Sequence, residues 1–127
     1  MKIIDEIQKF TYQGIGNLLL DLIPEYKSII DADQYQNDTT FGNYLFLNSF
    51  ATYLAIQIEN NETEFLSKSF NFINQLAESN NLEILNLLKV GILEILYTSG
   101  NNVRLKTYEN LNEKALSIFS ELSKYYV

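Results

Sequence analysis

The sequence predicts an all-α fold, with a single helical domain over residues 1–127. Three observations favour it. Apolar residues recur at helical intervals through most of the chain. Residues that form turns between strands are scarce, since there is one proline and there are five glycines. The long apolar segments are separated by two-residue Asn-Asn breaks. We therefore expect a helical bundle or a short helical-repeat-like stack, with four long helices after a short, irregular helical N-terminus.

The first forty residues predict short helical pieces and one polar loop. In MKIIDEIQKF the apolar positions form a helical stripe, made of Ile3, Ile4, Ile7 and Phe10. Gly14 and Gly16 loosen the chain before the next short segment. Pro24 suits the first turn of a helix that restarts after a kink. DADQYQND, residues 31–38, indicates a loop.

The remaining residues predict the four long helices. The first, at 41–59, is apolar nearly all round, which is typical of a central helix. Asn61 and Glu64 resemble a capping box that opens the second helix, at 64–78. The third, at 82–98, has Gly100 well placed to end it. Residues 101–107, NNVRLKT, indicate a loop or an extended piece, and the last helix is predicted from Tyr108 to Tyr126.

Negative charge is concentrated in one third of the chain. The net charge is −7, yet residues 65–127 carry six acids and six bases. Residues 21–64 carry eight acids and only Lys27 as a base. Such a distribution repels nucleic acid and anionic membranes and attracts basic proteins. It equally fits a domain whose acidic residues only keep it soluble.

The residue content argues against familiar enzyme chemistry. The chain has no cysteine and no histidine, so it lacks a thiolate nucleophile and the commonest general base and metal ligand. A calcium loop starting at Asp31 would place Gln36 where glycine is needed and Gly42 where a bidentate glutamate is needed. The glycines at 14 and 16 lack the lysine of a phosphate loop. We expect no catalytic residue, metal or cofactor.

The chain also lacks the segments that direct a protein to a membrane. Its start is interrupted by charged residues at helical intervals, unlike a signal peptide. Its apolar runs are only a few residues long. A cytoplasmic location with no membrane partner is therefore expected.

Two acidic groups are the candidate binding residues. Asp31, Asp33 and Asp38 flank Tyr35, an amphipathic ring suited to a partner's pocket. These aspartates are equally good turn and cap formers. The second group, ENNETE at 59–64, contributes Glu59, Glu62 and Glu64. The last two would also be favourable at a helix start because of the helix dipole.

The segment KVGILEIL, residues 89–96, carries a resemblance. It is similar to a V-G-F-L-E-x-L segment of small, acidic, all-α immunity proteins of bacterial polymorphic, contact-dependent toxin systems. Ile92 stands where phenylalanine is more usual; the matching positions are Val90, Gly91, Leu93, Glu94 and Leu96. The resemblance implies an inhibitor that binds one cognate toxin domain and catalyses nothing. Glu94 becomes a further candidate for partner contact, although a glutamate there could simply face solvent.

These observations predict a non-catalytic protein-binding inhibitor of a basic partner. Nuclease toxins fit that description because they are often basic. Two alternatives stay open: a helical adaptor that binds a peptide or forms a homodimer, and a carboxylate-dependent metal enzyme. The predicted contact residues are Asp31, Asp33, Tyr35, Asp38, Glu59, Glu62, Glu64 and Glu94.

Overall fold

In the computed structural model of the chain, residues 13–28 and 40–126 are described. Every regular element within these ranges is helical, which confirms the all-α prediction. The predicted N-terminal stripe at 3–10 and the loop at 31–38 lie outside the described residues.

The described helices are numbered α1 to α6 in chain order. They are α1 (Gln13–Leu22), α2 (Thr40–Asn60), α3 (Thr63–Ala77), α4, α5 (Asn101–Asn110) and α6 (Glu113–Glu121). Helix α4 has three parts: an α-helical part (Leu82–Leu88), a π-helical turn (Lys89–Leu93) and a final α-helical turn (Glu94–Tyr97). Short 3-10 turns follow α1 (Pro24–Ser28) and α6 (Leu122–Lys124).

Helix α2 is the central helix, as its apolar sequence predicted. It contacts α1, α3, α4 and α5. The inward side chains of α2 are Phe46, Leu47, Phe50, Ala51, Leu54 and Ile58, all buried. The Phe50 ring meets Phe72 of α3 edge to face, with 5.6 Å between ring centroids. Full burial of each large side chain contributes about 1.5–3 kcal/mol, so α2 organises the core.

The two Asn-Asn breaks act at helix ends in different ways. Asn81 caps the N-terminus of α4, where its side-chain oxygen accepts a hydrogen bond from the Glu83 N–H at 2.9 Å. The capping box expected at Asn61 and Glu64 is wrong, because Glu62 holds the N-cap position of α3 without a side-chain cap. Asn61 instead has a left-handed φ of 59°, and the Glu62 N–H donates to the Gln57 carbonyl. This is the Schellman ending of α2, which asparagine tolerates.

The end of the chain differs most from the prediction. Residues 101–107 are not a loop or extended, since they form most of α5. The last helix begins at Glu113 and not at Tyr108, after Asn112 caps it by accepting from the Ala115 N–H at 2.9 Å. The Tyr108 ring, 4.9 Å from that of Phe119, still packs on α6 from the neighbouring helix. One apolar stripe is therefore shared by two helices.

Candidate protein-binding surface

The structure describes only half of the predicted contact residues. Asp31, Asp33, Tyr35 and Asp38 lie outside the described residues. Glu59, Glu62 and Glu64 are exposed at the turn between α2 and α3. Glu94 lies on α4 and is half-buried. The second acidic group is therefore the one whose geometry can be followed.

A fourth carboxylate joins this turn from a distant part of the sequence. Glu25 lies in the 3-10 turn after α1 and lines the same surface groove as Glu62 and Glu64. The groove has a volume of about 390 Å³, and Tyr53, Gln57 and Phe65 complete its lining. We call Glu25, Glu59, Glu62 and Glu64 the acidic rim. Sequence reasoning missed Glu25 as a site residue because only tertiary packing brings it to the turn.

Aromatic rings form the floor beneath the acidic rim. Tyr53 and Phe65 meet edge to face at 5.1 Å, and the buried Tyr26 stacks on Phe65 at 6.1 Å. Tyr26 also meets Tyr53 at 5.7 Å. These contacts fix the 3-10 turn against α2 and α3, since aromatic pairs of this geometry add about 0.5–1.5 kcal/mol beyond burial. The rim carboxylates therefore project from a packed base.

Lys68 of α3 is the cation seated at this surface. Its ammonium lies 3.2 Å from both carboxylate oxygens of Glu25 and 3.7 Å from Glu64 Oε1. A backbone hydrogen bond, and then the bond from Lys68, hold the pKa of Glu25 below its ordinary value. Among the described residues, no basic side chain forms an ion pair with Glu59 or Glu62. The rim thus keeps a surplus of negative charge.

Glu94 has a structural partner. Its Oε1 accepts a hydrogen bond from the Tyr126 hydroxyl at 2.6 Å. This bond, followed by burial, raises the pKa of Tyr126 above its ordinary value. Glu94 does not line the groove beneath the acidic rim. Its carboxylate is engaged by the C-terminal segment, which the sequence pattern did not indicate.

A second groove lies between α3 and α5 and has a different character. Its volume is about 360 Å³, and its lining is Thr63, Leu66, Ser67, Phe70, Asn71, Asn74, Lys106 and Asn110. The Asn74 amide donates to the Asn110 carbonyl at 3.0 Å and accepts from the Asn112 N–H at 2.9 Å. Asn74 therefore joins α3 to the α5–α6 junction. This groove offers amides and hydroxyls but no acid–base pair.

The adaptor alternative predicts an exposed apolar groove, and the metal-enzyme alternative predicts three or more acidic side chains that converge in one pocket. The exposed large apolar side chains of the described residues are Leu45, Ile56, Leu82, Val90, Leu105 and Tyr125, and none of them lines either groove. Within residues 13–28 and 40–126, no three acidic side chains cluster closely enough to hold a metal ion. In the same ranges, no helix is long and apolar enough to cross a membrane.

Comparison with known proteins gives one match. The model of a family described as a domain of unknown function (DUF7674) matches residues 16–125, from α1 through the motif segment to Tyr125. No curated protein and no solved structure matches the chain.

Proposed function

The chain belongs to DUF7674, a family described as a domain of unknown function. We propose a function for it from the residues on its own surface. It is a non-catalytic inhibitor that binds one basic protein, a cognate toxin domain, through the acidic rim. The observation that carries this proposal is the surplus of carboxylates, Glu25, Glu59, Glu62 and Glu64, gathered from two separate parts of the sequence.

The first support is rigidity. The Schellman turn holds the α2–α3 connection, and the aromatic floor holds the Glu25 turn against it. A rim held by packing loses little conformational freedom on binding, so more of the interaction energy appears as affinity. A partner would meet a preformed surface instead of a mobile acidic tail.

The second support is electrostatic. A surface that carries more carboxylates than cations accelerates encounter with a basic protein and disfavours acidic ones. The guanidinium of arginine pairs with carboxylates in a planar, bidentate manner, and it also stacks on aromatic rings such as Tyr53 and Phe65. A nuclease that holds phosphate with arginine and lysine presents this chemistry. The rim carboxylates would occupy the positions of its phosphates.

The test compares two triple variants with equal loss of charge. The rim triple is Glu59→Gln, Glu62→Gln and Glu64→Gln. The control triple, Glu83→Gln, Glu109→Gln and Glu121→Gln, removes three exposed carboxylates of α4, α5 and α6. Circular dichroism and urea unfolding check that both triple variants fold. We expect them to, because losing the Glu64 charge from the first turn of α3 lowers the free energy of unfolding by only about 0.3–1 kcal/mol.

The partner is first isolated from the source organism's lysate with the tagged chain at low and high salt, then purified and titrated. We expect one basic protein at about one-to-one stoichiometry, with its toxic activity abolished by the chain. The rim triple should weaken binding about 10- to 100-fold and flatten its salt dependence. The control triple should change affinity by less than about three-fold. Equal affinity for both triples, or capture of the chain alone, would overturn the proposal.

A third triple tests the loop that was also predicted to bind. Asp31→Asn, Asp33→Asn and Asp38→Asn remove the same amount of charge from residues 31–38. If this loop extends the docking surface, its triple weakens binding as the rim triple does. If its aspartates serve only as turn formers, the partner binds this third triple variant as tightly as it binds the control triple.

A further inference from the structure

The π-helical turn in α4 changes which residues share a face. The Glu94 N–H donates to the Lys89 carbonyl, five residues back. In an α-helix, at about 100° per residue, positions i and i+5 lie about 140° apart around the axis. A π turn holds one residue more, so Lys89 and Glu94 come nearly above one another. One face of α4 thus offers a cation and a carboxylate one turn apart.

Two consecutive tyrosines meet this face. The Lys89 ammonium lies 5.3 Å from the centroid of the Tyr125 ring, and Glu94 accepts from the Tyr126 hydroxyl at 2.6 Å. The Tyr126 ring also lies 6.0 Å from that of Tyr97, one turn further along α4. The π turn and the final α-helical turn of α4 therefore both contact these two tyrosines.

The segment that carries these tyrosines follows Leu122. Leu122 is fully buried, whereas Ser123, Lys124 and Tyr125 are exposed. The backbone N–H groups of Tyr125 and Tyr126 both donate to the Leu122 carbonyl at 3.0 Å. We call residues 123–126 the C-terminal strap. Only Tyr126 of the strap is partly buried, so the position of the strap depends on the contacts of its two tyrosines with Lys89, Glu94 and Tyr97.

We propose that the π-helical turn of α4 is a clasp for the C-terminal strap, which opens and closes as a unit while the helical body stays folded. Opening removes Tyr126 from the ring of Tyr97, which is only 4% exposed when the strap is closed and keeps its contacts with Arg104 and Phe119. It also frees the two tyrosines and the side chains of Lys89 and Glu94. The inference is independent of the proposed function, because it uses no residue of the acidic rim.

The motif segment gains a physical explanation from this arrangement. Gly91 lies at the centre of the π turn, where α4 crosses α2. Leu93 and Leu96 are buried on the core side, and Glu94 alone among the matched positions bonds to the strap. π turns are short insertions that are often retained where they orient a side chain for a task. Here the task is to place Glu94 beneath Tyr126.

The test measures how fast carboxypeptidase A removes Tyr126 and Tyr125 from the full chain, because the enzyme needs an open strap. Peptides corresponding to residues 120–127, with and without the substitutions at Tyr125 and Tyr126, calibrate the enzyme's own preferences. The clasp variants are Glu94→Gln and Tyr126→Phe. The matched control is Tyr125→Phe, which keeps the ring over Lys89 and leaves the bond between Tyr126 and Glu94 intact.

We expect Tyr126→Phe to accelerate release about 10-fold, as loss of a hydrogen bond to a charged group predicts. Glu94→Gln keeps a neutral acceptor for the Tyr126 hydroxyl and should accelerate release by a smaller factor. The double variant should be no faster than Tyr126→Phe alone, since that substitution already removes the bond. Tyr125→Phe should stay within about two-fold of the parent chain. Urea midpoints should be nearly unchanged throughout.

Two outcomes would overturn the proposal. In the first, residues 125 and 126 are released from Glu94→Gln and Tyr126→Phe no faster than from Tyr125→Phe, which means that the clasp holds nothing. Alternatively, release and global unfolding could accelerate by the same factor in Glu94→Gln. The strap would then belong to the cooperative body of the protein and would not open alone.

Discussion

Replacing Gly91 by alanine tests how closely α2 and α4 cross. Gly91 is buried, and a Cβ built on it would lie 3.4 Å from Leu47 Cβ, 3.6 Å from Leu87 Cδ1 and 3.7 Å from Tyr44 Cδ1. These are ordinary van der Waals distances, the shortest at the edge of that range. Its backbone is outside the left-handed region that favours glycine. Space for one methyl group therefore exists.

The magnitude follows from opposing terms. Alanine in place of glycine stabilises a helix interior by about 1 kcal/mol. Each new carbon contact adds about 0.1–0.2 kcal/mol, and a small shift of Leu47 offsets part of this gain. Gly91→Ala should therefore raise the free energy of unfolding by about 0.5–1 kcal/mol. Gly91→Val places further carbons against Leu47 and Tyr44 and should lower it by about 1–3 kcal/mol.

Urea unfolding followed by circular dichroism at 222 nm measures both changes. The opposite signs matter most, because a uniform loss could have many causes. If Gly91→Ala costs more than about 1 kcal/mol, the π turn needs glycine for a reason other than the spacing of the helices. If Gly91→Val is as stable as the parent chain, α2 and α4 cross less closely than these distances state.

Three other substitutions or conditions probe distinct features. Gly100 has a φ of 108° and open space around its Cβ position, so Gly100→Ala should cost about 1–3 kcal/mol through backbone strain alone, measured by urea unfolding. Asn74→Ala leaves the Asn110 carbonyl and the Asn112 N–H unpaired and should cost about 2 kcal/mol, whereas Asn74→Asp keeps the acceptor and should cost less. The Glu94 bond raises the pKa of Tyr126, so its stabilising effect is complete below the ordinary tyrosine pKa and is lost as pH rises through the higher folded value. Titration of absorbance at 295 nm should show that Glu94→Gln lowers the pKa of Tyr126 toward its ordinary value.

Helices α2, α3 and α4 could be predicted from the sequence because their signals are local. Each has several inward residues at helical spacing, and each is bounded by an asparagine pair. Asn81 acts through its own side chain within two residues, so its role is visible in the sequence. The π turn was not predictable, because its residues have the same apolar pattern as an ordinary helix.

Helix α5 could not be predicted because its support comes from elsewhere. Only Val103 and Thr107 are buried, so the helix has almost no apolar stripe. Arg104 provides the support that the apolar pattern lacks. Its Nε and Nη2 donate to the Tyr97 carbonyl at 3.1 and 3.0 Å, and its guanidinium lies 4.2 Å from the centroid of the Tyr97 ring. One side chain thus caps the end of α4 and anchors the helix that follows it.

The candidate surface shows the same division between local and distant information. The charge count located Glu59, Glu62 and Glu64 in one acidic segment, since neighbours in sequence stay neighbours in a turn. Glu25 lies near them because the aromatic floor packs its turn against α2 and α3 and because it bonds to Lys68, which is 43 residues further along the sequence. Composition therefore indicated a charged region but not the residues that complete it.

Glu94 shows why charge alone is a poor guide to binding residues. It was singled out as the polar residue of a motif, and its carboxylate bonds to Tyr126. A substitution at Glu94 would therefore loosen the C-terminal strap, and any weaker partner binding could follow from that change alone. Comparing Glu94→Gln with Tyr126→Phe separates the two causes, because the first removes the charge and weakens the bond, whereas the second removes the bond and keeps the charge. If partner affinity falls at least as far in Tyr126→Phe as in Glu94→Gln, the strap is responsible; if only Glu94→Gln weakens binding, the carboxylate itself contacts the partner.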